Sequence, residues 1–523
     1  MIQLGLTVVR SGKPVASRAG HRDAQTFLSQ PMNPIFPTTR DPRPWLSRVT
    51  VKRVCAIVAH LSPRLLGVVL CAAAGHYARA ADTWQPTLES IGRHTAPAWL
   101  LDAKLGIQFV GEPHDFTDHE YFDWQRSEQR MRELGADRSD ADARRFAGEI
   151  GNPAKRPIAL IHDPIADLDA VMAAYRATGA RFMTSMITAA YPGTEGLWMN
   201  PREIAAARRA GFKVGVHYNF LRRDRVPAAG DPGYVAFYQK ELKDAVVAAE
   251  ADFIFFDGSH LTPSAYLRSP AVVAWYYNWA EARGKQVWVN DDLGRDTVQD
   301  WAYGDVLDLE ALTVTDVPPK PWIYWDTLRN EWNCWVNESG VHRFLGGKWV
   351  WKNRAPADVL QVFLYNVSRG GVWCVQMDNT RECWRTMREV GAWLAVNGEA
   401  IYDTRPWLKV DPDFKEVPDR EEKPPAKARG ELWWWRFQRT LETAQADAPL
   451  YFTRKGDRVY AIHWGWPGAE VTIPGMRAKP ASTVRMLGIA APLAWTQQGP
   501  NLVVRLPAAP PAKYAFCLAI DPE

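Results

Sequence analysis

The sequence predicts an α/β fold: a (β/α)8-like TIM barrel followed by a small C-terminal β-sandwich. First, short apolar runs alternate with longer amphipathic segments from about residue 97 to 407, which is typical of a parallel sheet with crossover helices. Second, a composition rich in Pro, Lys, Glu and Asp indicates a linker over residues 411–430. Third, closely spaced short strand patterns follow. We therefore assign residues 81–410 to the barrel and 431–523 to the β-sandwich.

Each element is predicted from its own run of residues. Apolar runs rich in β-branched and aromatic residues predict strands, and amphipathic segments predict helices. The predicted barrel strands are Leu105–Val110, Pro157–Ile161, Phe182–Ile187, Lys213–Tyr218, Phe253–Phe256, Gln286–Asn290 and Gly371–Gln376. The predicted helices are Leu168–Thr178, Pro201–Ala210, Pro232–Ala249, Ser269–Arg283 and Pro356–Ser368. The predicted C-terminal strands are Leu432–Gln438, Leu450–Thr453, Val459–His463, Glu470–Ile473, Thr483–Leu487, Leu502–Leu506 and Tyr514–Leu518.

The composition is that of a globular protein with a large core. Of 523 residues, 47% are hydrophobic and 23% are charged, and the net charge is +4. This small charge, without a basic stripe interleaved with aromatics, argues against a dedicated nucleic-acid binder. Tryptophan is in excess, with 25 residues. The excess fits packing against sugar rings and fits plain core packing equally well.

Residues 1–80 are predicted to be a leader with a secretory signal at about 52–80. A basic pair at 52–53 precedes an apolar run at 65–75, and alanines at 78 and 80 form a small-x-small cleavage pattern. The apolar run is too short to span a bilayer comfortably. The sequence therefore predicts export to the periplasm or the extracellular space, with no stable membrane insertion after signal removal.

Four cysteines lie beyond the leader, at positions 334, 374, 383 and 517, and their spacing matches no zinc pattern. Cys374 and Cys383 could form a disulfide if the chain between them turns back. Free buried thiols are the alternative.

The stretch Ala251–His260 (ADFIFFDGSH) reads as a buried strand that ends at a carboxylate followed by glycine. In an α/β barrel, catalytic side chains project from the carboxyl ends of the strands. Asp257 is therefore a candidate nucleophile or base. The alternative is an aspartate that caps the next helix.

Four blocks of the sequence carry a family resemblance. They are Asp102–Ile107 (DAKLGI), Gly211–Tyr218 (GFKVGVHY), the FFDG strand end with Val287–Asp291 (VWVND), and Gly391–Trp407 (GAWLAVNGEAIYDTRPW). Together they resemble the α-L-fucosidases of glycoside hydrolase family 29, with its DAKFGI, GLKFGLYYS, LWFDG…VVND and GxWLxxNGEAIYxTRPW segments. The resemblance covers about residues 97–520, so it implies that family's barrel and its C-terminal domain.

The resemblance also implies two catalytic residues. The family's nucleophile is the Asp of its WFDG segment, which falls on Asp257. Its GDFYTPE segment falls on Gly304–Glu310 (GDVLDLE), which makes Glu310 the first choice for the acid/base. Retaining glycosidases use two such carboxyl groups about 5 Å apart. The alternatives for the second group are Asp305, Asp308, Glu331 or a solvated loop carboxylate without a role.

The sequence departs from the family in the sugar-binding residues. The family's FIHWG histidine falls near Val110, and its HHDGF histidine pair is replaced within Ile187–Gly196. Six residues are candidate replacement contacts for substrate, although each is also explained as a packed core or loop residue. They are His114, His217, Tyr218, Trp325, Trp373 and Gln376.

The expected function is that of an exported retaining glycoside hydrolase resembling α-L-fucosidase, acting on an oligosaccharide or glycoconjugate. The alternatives are a non-catalytic carbohydrate-binding relative and a glycosidase of changed sugar specificity. No metal or nucleotide cofactor is expected, because the sequence has no HExxH, no Cys/His cluster and no glycine-rich phosphate loop. The sequence gives no indication of oligomeric state.

Overall fold

The computed structural model describes residues 83–113, 165–188, 199–220, 232–258, 262–294, 304–328, 344–345, 348–349, 353–377, 380–411, 414 and 432–523. The predicted leader, the predicted strand Pro157–Ile161 and most of the predicted linker lie outside these residues and stay predictions. None of the described helices is long and apolar enough to span a membrane.

Eight parallel strands form the barrel sheet. They are β1 Leu105–Gln108, β2 Phe182–Thr188, β3 Lys213–Asn219, β4 Phe253–Asp257, β5 Trp288–Val289, β6 Leu307–Asp308, β7 Trp322–Thr327 and β10 Val372–Gln376. Their order in the sheet is β5-β4-β3-β2-β1-β10-β7-β6. A parallel bridge between Asn290 and Val306 joins the two edges of the sheet. Two backbone hydrogen bonds flank this bridge, from Asp291 N to Val306 O and from Asp305 N to Val289 O, each 3.1 Å. The predicted TIM-like barrel is therefore confirmed.

Aromatic side chains fill the inside of the barrel. Alternate strand positions point inward, and those of β2, β4 and β7 supply Phe182, Phe253, Phe255 and Trp325 to one buried cluster. Glycines on the neighbouring strands make room for these rings. A Cβ added at Gly106 would lie 2.1 Å from the Phe182 ring. This cluster supports the side chains that lie above it, inside the barrel at the carboxyl ends of the strands.

Helices cover most of the outer face of the barrel. The helices of the barrel region are α1 Leu88–Ile91, α2 Ala98–Ala103, α3 Leu168–Ala177, α4 Pro201–Arg209, α5 Pro232–Ala249, α6 Ser264–Leu267, α7 Ser269–Glu281, α8 Pro356–Ser368 and α9 Arg381–Asn397. Of these, α2 packs instead against the buried cluster inside the barrel, through Leu100 and Ala103. The five predicted helices are present within two residues of their predicted ends. The fully described connection from β6 to β7, residues 309–321, contains no helix. The barrel is thus irregular at this point.

A helix from beyond the linker covers this part of the barrel. α10, Leu432–Asp447, packs against the barrel through Phe437, whose ring lies 3.9 Å from the Arg354 guanidinium, and through a 2.9 Å hydrogen bond between Thr440 and Thr313. The predicted strand Leu432–Gln438 is therefore wrong. Its aromatic run resembles a strand, but the buried residues 437, 440, 441 and 444 recur with the helical period.

The C-terminal domain consists of two antiparallel sheets with an apolar core between them. The five-stranded sheet has the order β11-β12-β13-β18-β15, and the three-stranded sheet β14-β17-β16. The strands are β11 Arg405–Pro406, β12 Leu450–Lys455, β13 Arg458–Trp464, β14 Glu470–Ile473, β15 Arg485–Met486, β16 Trp495–Gln498, β17 Asn501–Arg505 and β18 Ala515–Ile520. The remaining described strands, β8 Phe344–Leu345 and β9 Lys348–Trp349, form a hairpin. This arrangement is consistent with the predicted sandwich. Cys374, Cys383 and Cys517 are buried free thiols, so Cys374 and Cys383 do not form a disulfide.

Candidate active site

Asp257 is the last residue of β4, and its side chain is on the face of the strand that points into the barrel. Phe253 and Phe255 point into the barrel, whereas Ile254 and Phe256 belong to the outer core, so the period of two directs Asp257 inward. Its side chain retains 20% exposure, which makes it accessible from the carboxyl end of the barrel. Gly258 follows with φ +77°, a left-handed backbone that ends the strand directly after the carboxylate.

His217 on the neighbouring strand contacts this carboxylate. Its Nε2 lies 3.2 Å from Asp257 Oδ2, and its side chain is only 3% exposed. The imidazole meets the rings of Phe255 and Trp325 edge-on, at centroid distances of 5.2 and 4.8 Å. Those two rings stack on each other at 3.8 Å. Packing against these aromatic rings therefore holds the His217 imidazole in place beside the Asp257 carboxylate.

Asn290 links three strand ends at the site. Its Oδ1 accepts from Phe256 N at 2.7 Å, and its Nδ2 donates to Phe256 O at 2.8 Å. These bonds continue the β4–β5 ladder beyond the end of β5 and hold the backbone beside Asp257. The same Nδ2 donates to Asp308 Oδ2 at 3.3 Å, and Asp291 Oδ1 accepts from Asp308 N at 2.8 Å. Asn290 and Asp291 lie in the VWVND block, but the sequence assigned them no role.

The two carboxylates at the end of β6 differ in placement. Asp308 is on the strand, points inward next to Asn290 and is 8% exposed. Glu310 is half-buried in the turn that follows, where its backbone carbonyl accepts from Arg436 of α10 at 3.5 Å. Both residues therefore belong to the strand end that is joined through Asn290 to the Asp257 strand.

Asp305, a third candidate, faces outward and has a structural role. Its carboxylate is within 2.8 Å of His94 Nδ1 and accepts from Tyr277 Oη at 2.9 Å and from Val289 N at 3.0 Å. These contacts attach the N-terminal segment and α7 to the junction of β5 and β6. Asp305 is therefore not part of the site. Glu331 lies outside the described residues.

Two predicted substrate contacts face away from the site. Tyr218 is fully buried between the sheet and α5, where its hydroxyl donates to Glu241 at 2.9 Å. Trp373 is in the outer core, between the rings of Tyr324 and Phe363 at 5.5 and 5.9 Å. Both orientations have the same cause: each residue directly neighbours an inward position on its strand, and adjacent strand residues point to opposite faces.

Of the other predicted substrate contacts, two point into the barrel and one lies outside the described residues. Trp325 and Gln376 point into the barrel on β7 and β10, and both are buried. His114 lies outside the described residues. Val110, near which the histidine of the family's FIHWG segment aligns, is half-buried after β1. Its backbone N–H donates to Tyr175 Oη at 3.0 Å.

A polar layer lines the barrel interior near the strand ends. Gln108 and Thr184 are in register across β1 and β2, and Thr327 and Gln376 are in register across β7 and β10. All four are at most 1% exposed. Buried polar atoms are normally satisfied by protein, water or ligand. Within the described part of the chain, the barrel interior contains buried polar atoms without a hydrogen-bond partner, among them Gln108 Oε1, Thr184 Oγ1, His217 Nδ1 and Trp325 Nε1.

The chemistry at this site is that of carboxylates. Burial raises the pKa of the Cys374 thiol well above its usual range, so that thiol is neutral inside the barrel. Among the described residues, no group of three or more His, Cys, Asp and Glu side chains is placed to hold a metal ion. The arrangement can supply a nucleophilic carboxylate, a hydrogen-bond partner for it and a second carboxyl group from β6.

Two protein-family models match the chain: α-L-fucosidase over residues 161–399 and α-L-fucosidase C-terminal domain over residues 443–521. Tissue α-L-fucosidase of Bos taurus is 24% identical over 486 residues, which cover 82% of this chain and 88% of that relative. The α-L-fucosidase of Branchiostoma floridae is 25% identical over 278 residues, so this chain spans about half (52%) of that relative's length. The crystal structure of Thermotoga maritima α-fucosidase in complex with fucose superposes with a TM-score of 0.53 and 17% identity, covering 84% of this chain and 100% of that chain. The structural likeness supports the shared fold.

Proposed function

This chain belongs to glycoside hydrolase family 29, the α-L-fucosidases, and we propose that it is a retaining glycosidase that removes a terminal α-L-fucosyl or related residue from a glycoconjugate. One observation carries the proposal: Asp257 ends an inward strand face at the carboxyl end of the barrel, with a hydrogen-bond partner on its carboxylate. The substrate class follows from the names of the relatives. Export through the predicted leader is part of the same proposal.

The proposed reaction has two steps. A carboxylate oxygen of Asp257 bonds to the anomeric carbon as the glycosidic bond breaks, and the leaving oxygen takes a proton from Glu310. Water then attacks the anomeric carbon and returns a proton to Glu310, and Asp257 leaves as a carboxylate. Both inversions occur at one carbon, so its configuration is retained.

The nucleophile is tested by removing its carboxylate. Asp257→Ala should lower kcat by several orders of magnitude, because the covalent step has no other nucleophile. Azide should restore part of the turnover and yield a glycosyl azide, detected by mass spectrometry. Asp244→Ala, at an exposed position on α5, is the control and should keep wild-type kcat. Full activity in Asp257→Ala would refute the assignment.

The acid/base is tested by comparing the two β6 carboxylates. We expect Glu310→Ala to slow substrates with poor leaving groups far more than activated aryl glycosides, which need little protonation. Its half-buried position beyond the strand end favours it over Asp308, which lies deeper against Asn290. Asp308→Asn should slow both substrate types alike. If instead Asp308→Asn slows the substrates with poor leaving groups selectively and Glu310→Ala slows both types alike, the proton transfer belongs to Asp308.

We predict that activity on a simple aryl α-L-fucoside is weak. Val110 and the alanines at 189–190 supply no side-chain donors where the family resemblance expects three histidines. At roughly 1 kcal/mol per neutral hydrogen bond and about twice that for a charge-assisted one, their loss removes about 3–5 kcal/mol of sugar recognition. A panel of aryl glycosides measures this, with the α-L-fucoside as reference. A kcat/KM of about 10⁴ M⁻¹s⁻¹ or higher on the fucoside, the ordinary enzyme range, contradicts the prediction.

A further inference from the structure

We propose that His217 is a positioning residue for the nucleophile: it donates from Nε2 to Asp257 Oδ2 and fixes the carboxylate in its attacking orientation. This inference rests on the proposed function of Asp257. Its starting observation is the 3.2 Å contact between the two atoms, made by a side chain that is 3% exposed.

The strand register places His217 beneath the carboxylate. Asn219 is the registered neighbour of Asp257, and His217 is the registered neighbour of Phe255, one inward position deeper in the barrel. The imidazole therefore meets the carboxylate from inside the barrel. A substrate that enters from the open carboxyl end reaches the other side of Asp257.

The surroundings of His217 determine which ring nitrogen carries the proton. A proton on Nε2 gives a hydrogen bond to an ionised carboxylate. A proton on Nδ1 alone would turn the Nε2 lone pair toward that carboxylate. It would also bury an N–H that has no partner within the described residues. The Nε2–H tautomer is therefore the one that fits the site.

Aromatic contacts restrict the rotation of the imidazole. The ring is held edge-on against Phe255 and Trp325, which themselves stack. Residues around a nucleophile act by such preorganisation, because a small displacement of the attacking atom can cost about 10²-fold in rate. The role proposed for His217 is to hold the carboxylate and not to transfer a proton.

The test is the rate of covalent labelling by a 2-deoxy-2-fluoro glycosyl fluoride of the sugar that the enzyme prefers, followed by intact-protein mass. Saturation separates the labelling rate constant from the inhibitor affinity. His217→Phe keeps an aromatic ring but removes the donor, and should lower the labelling rate constant about 10- to 100-fold with little change in affinity. His217→Gln places an amide N–H near the Nε2 position and should restore most of that rate.

A matched control comes from the adjacent outward residue. Tyr218→Phe, on the same strand, should label at the wild-type rate because its side chain contacts α5. If His217→Phe does not fold, His217→Asn takes its place, since its shorter amide does not reach Oδ2. Labelling of His217→Phe at the wild-type rate, or a Gln variant no faster than the Phe or Asn variant, overturns the inference alone. A folded wild-type enzyme that no fluorosugar of the panel labels overturns the proposed retaining mechanism, and the inference with it.

Discussion

Lys104 is a buried lysine directly before β1. The side chain is fully buried and its ammonium has no hydrogen-bond partner among the described residues. Burial, assisted by the charge of Arg405, lowers the pKa of Lys104 to about 7, against the opposing effects of Asp102 and Asp403. Burial thus disfavours the charged form, and near pH 7 the two forms of Lys104 are about equally populated.

We predict that this lysine destabilises the protein at and below neutral pH. The pKa is about 7 in the folded protein and 10.5 in the unfolded chain. The unfolded chain thus binds more protons between these values, and stability rises with pH through that window. The cost is complete below pH 7 and reaches at most about 5 kcal/mol.

Lys104→Met should therefore raise the free energy of unfolding at pH 6 by a few kcal/mol, with the gain shrinking toward pH 10. Urea unfolding at the two pH values measures this difference. Lys455→Met, about half exposed, serves as the control and should show little change at either pH. An equal gain for Lys104→Met at both pH values would contradict the predicted linkage.

At the scale of elements, the sequence predicted strand and helix positions in the barrel well because each has its own periodicity. Helix Pro356–Ser368 has its predicted bounds, and strand Phe253–Asp257 extends the prediction by one residue. β7, Trp322–Thr327, escaped prediction. All six of its residues are buried, as are those of the predicted strand β10, so missing alternation does not explain the omission. Prolines at 318, 319 and 321 directly precede β7, and such a cluster is typical of a loop.

The candidate site was only partly predictable, because a motif identifies residues but not the faces of strands. Asp257 is inward, as its position at a barrel strand end suggested. Tyr218 matched a family tyrosine and yet points outward, whereas its neighbour His217 makes the contact to the carboxylate. If one inward residue such as Phe255 is known, the strand register shows that its neighbour His217 also points inward and that Tyr218 points outward.

Elements far apart in sequence complete one another in ways that local patterns do not reveal. α10 covers the barrel where the β6–β7 connection lacks a helix. Its aromatic start, Leu432–Trp435, has no periodicity that distinguishes a strand from a helix. Tertiary contact at Phe437 and Thr440 selects the helix. The helical conformation of α10 thus depends on contacts with the barrel where the β6–β7 connection has no helix. The sequence of the segment alone could not predict it.

At the scale of the whole molecule, the five-stranded sheet is shared by two cores. On β18, Phe516 and Leu518 face the sandwich core, whereas Cys517 and Ala519 face the core that includes the barrel helices. Hydrogen bonds join the same regions, among them Trp393 Nε1 to Ala515 O at 2.8 Å. β18 is thus buried on both faces, and the described residues from 83 onward belong to one compact unit.

We predict that the barrel and the C-terminal domain unfold together in one cooperative transition. Separating them would expose the apolar residues of β13 and β18 that face the barrel helices, and such exposure costs about 25 cal/mol per Å². Phe516→Ala, a change in the sandwich core, should cost about 3–5 kcal/mol and shift the whole calorimetric transition to lower temperature. Activity should be lost at that same temperature, although Phe516 does not belong to the site. Two transitions in the wild-type protein, with only one moved by Phe516→Ala and activity following the other, would mean that the domains unfold independently.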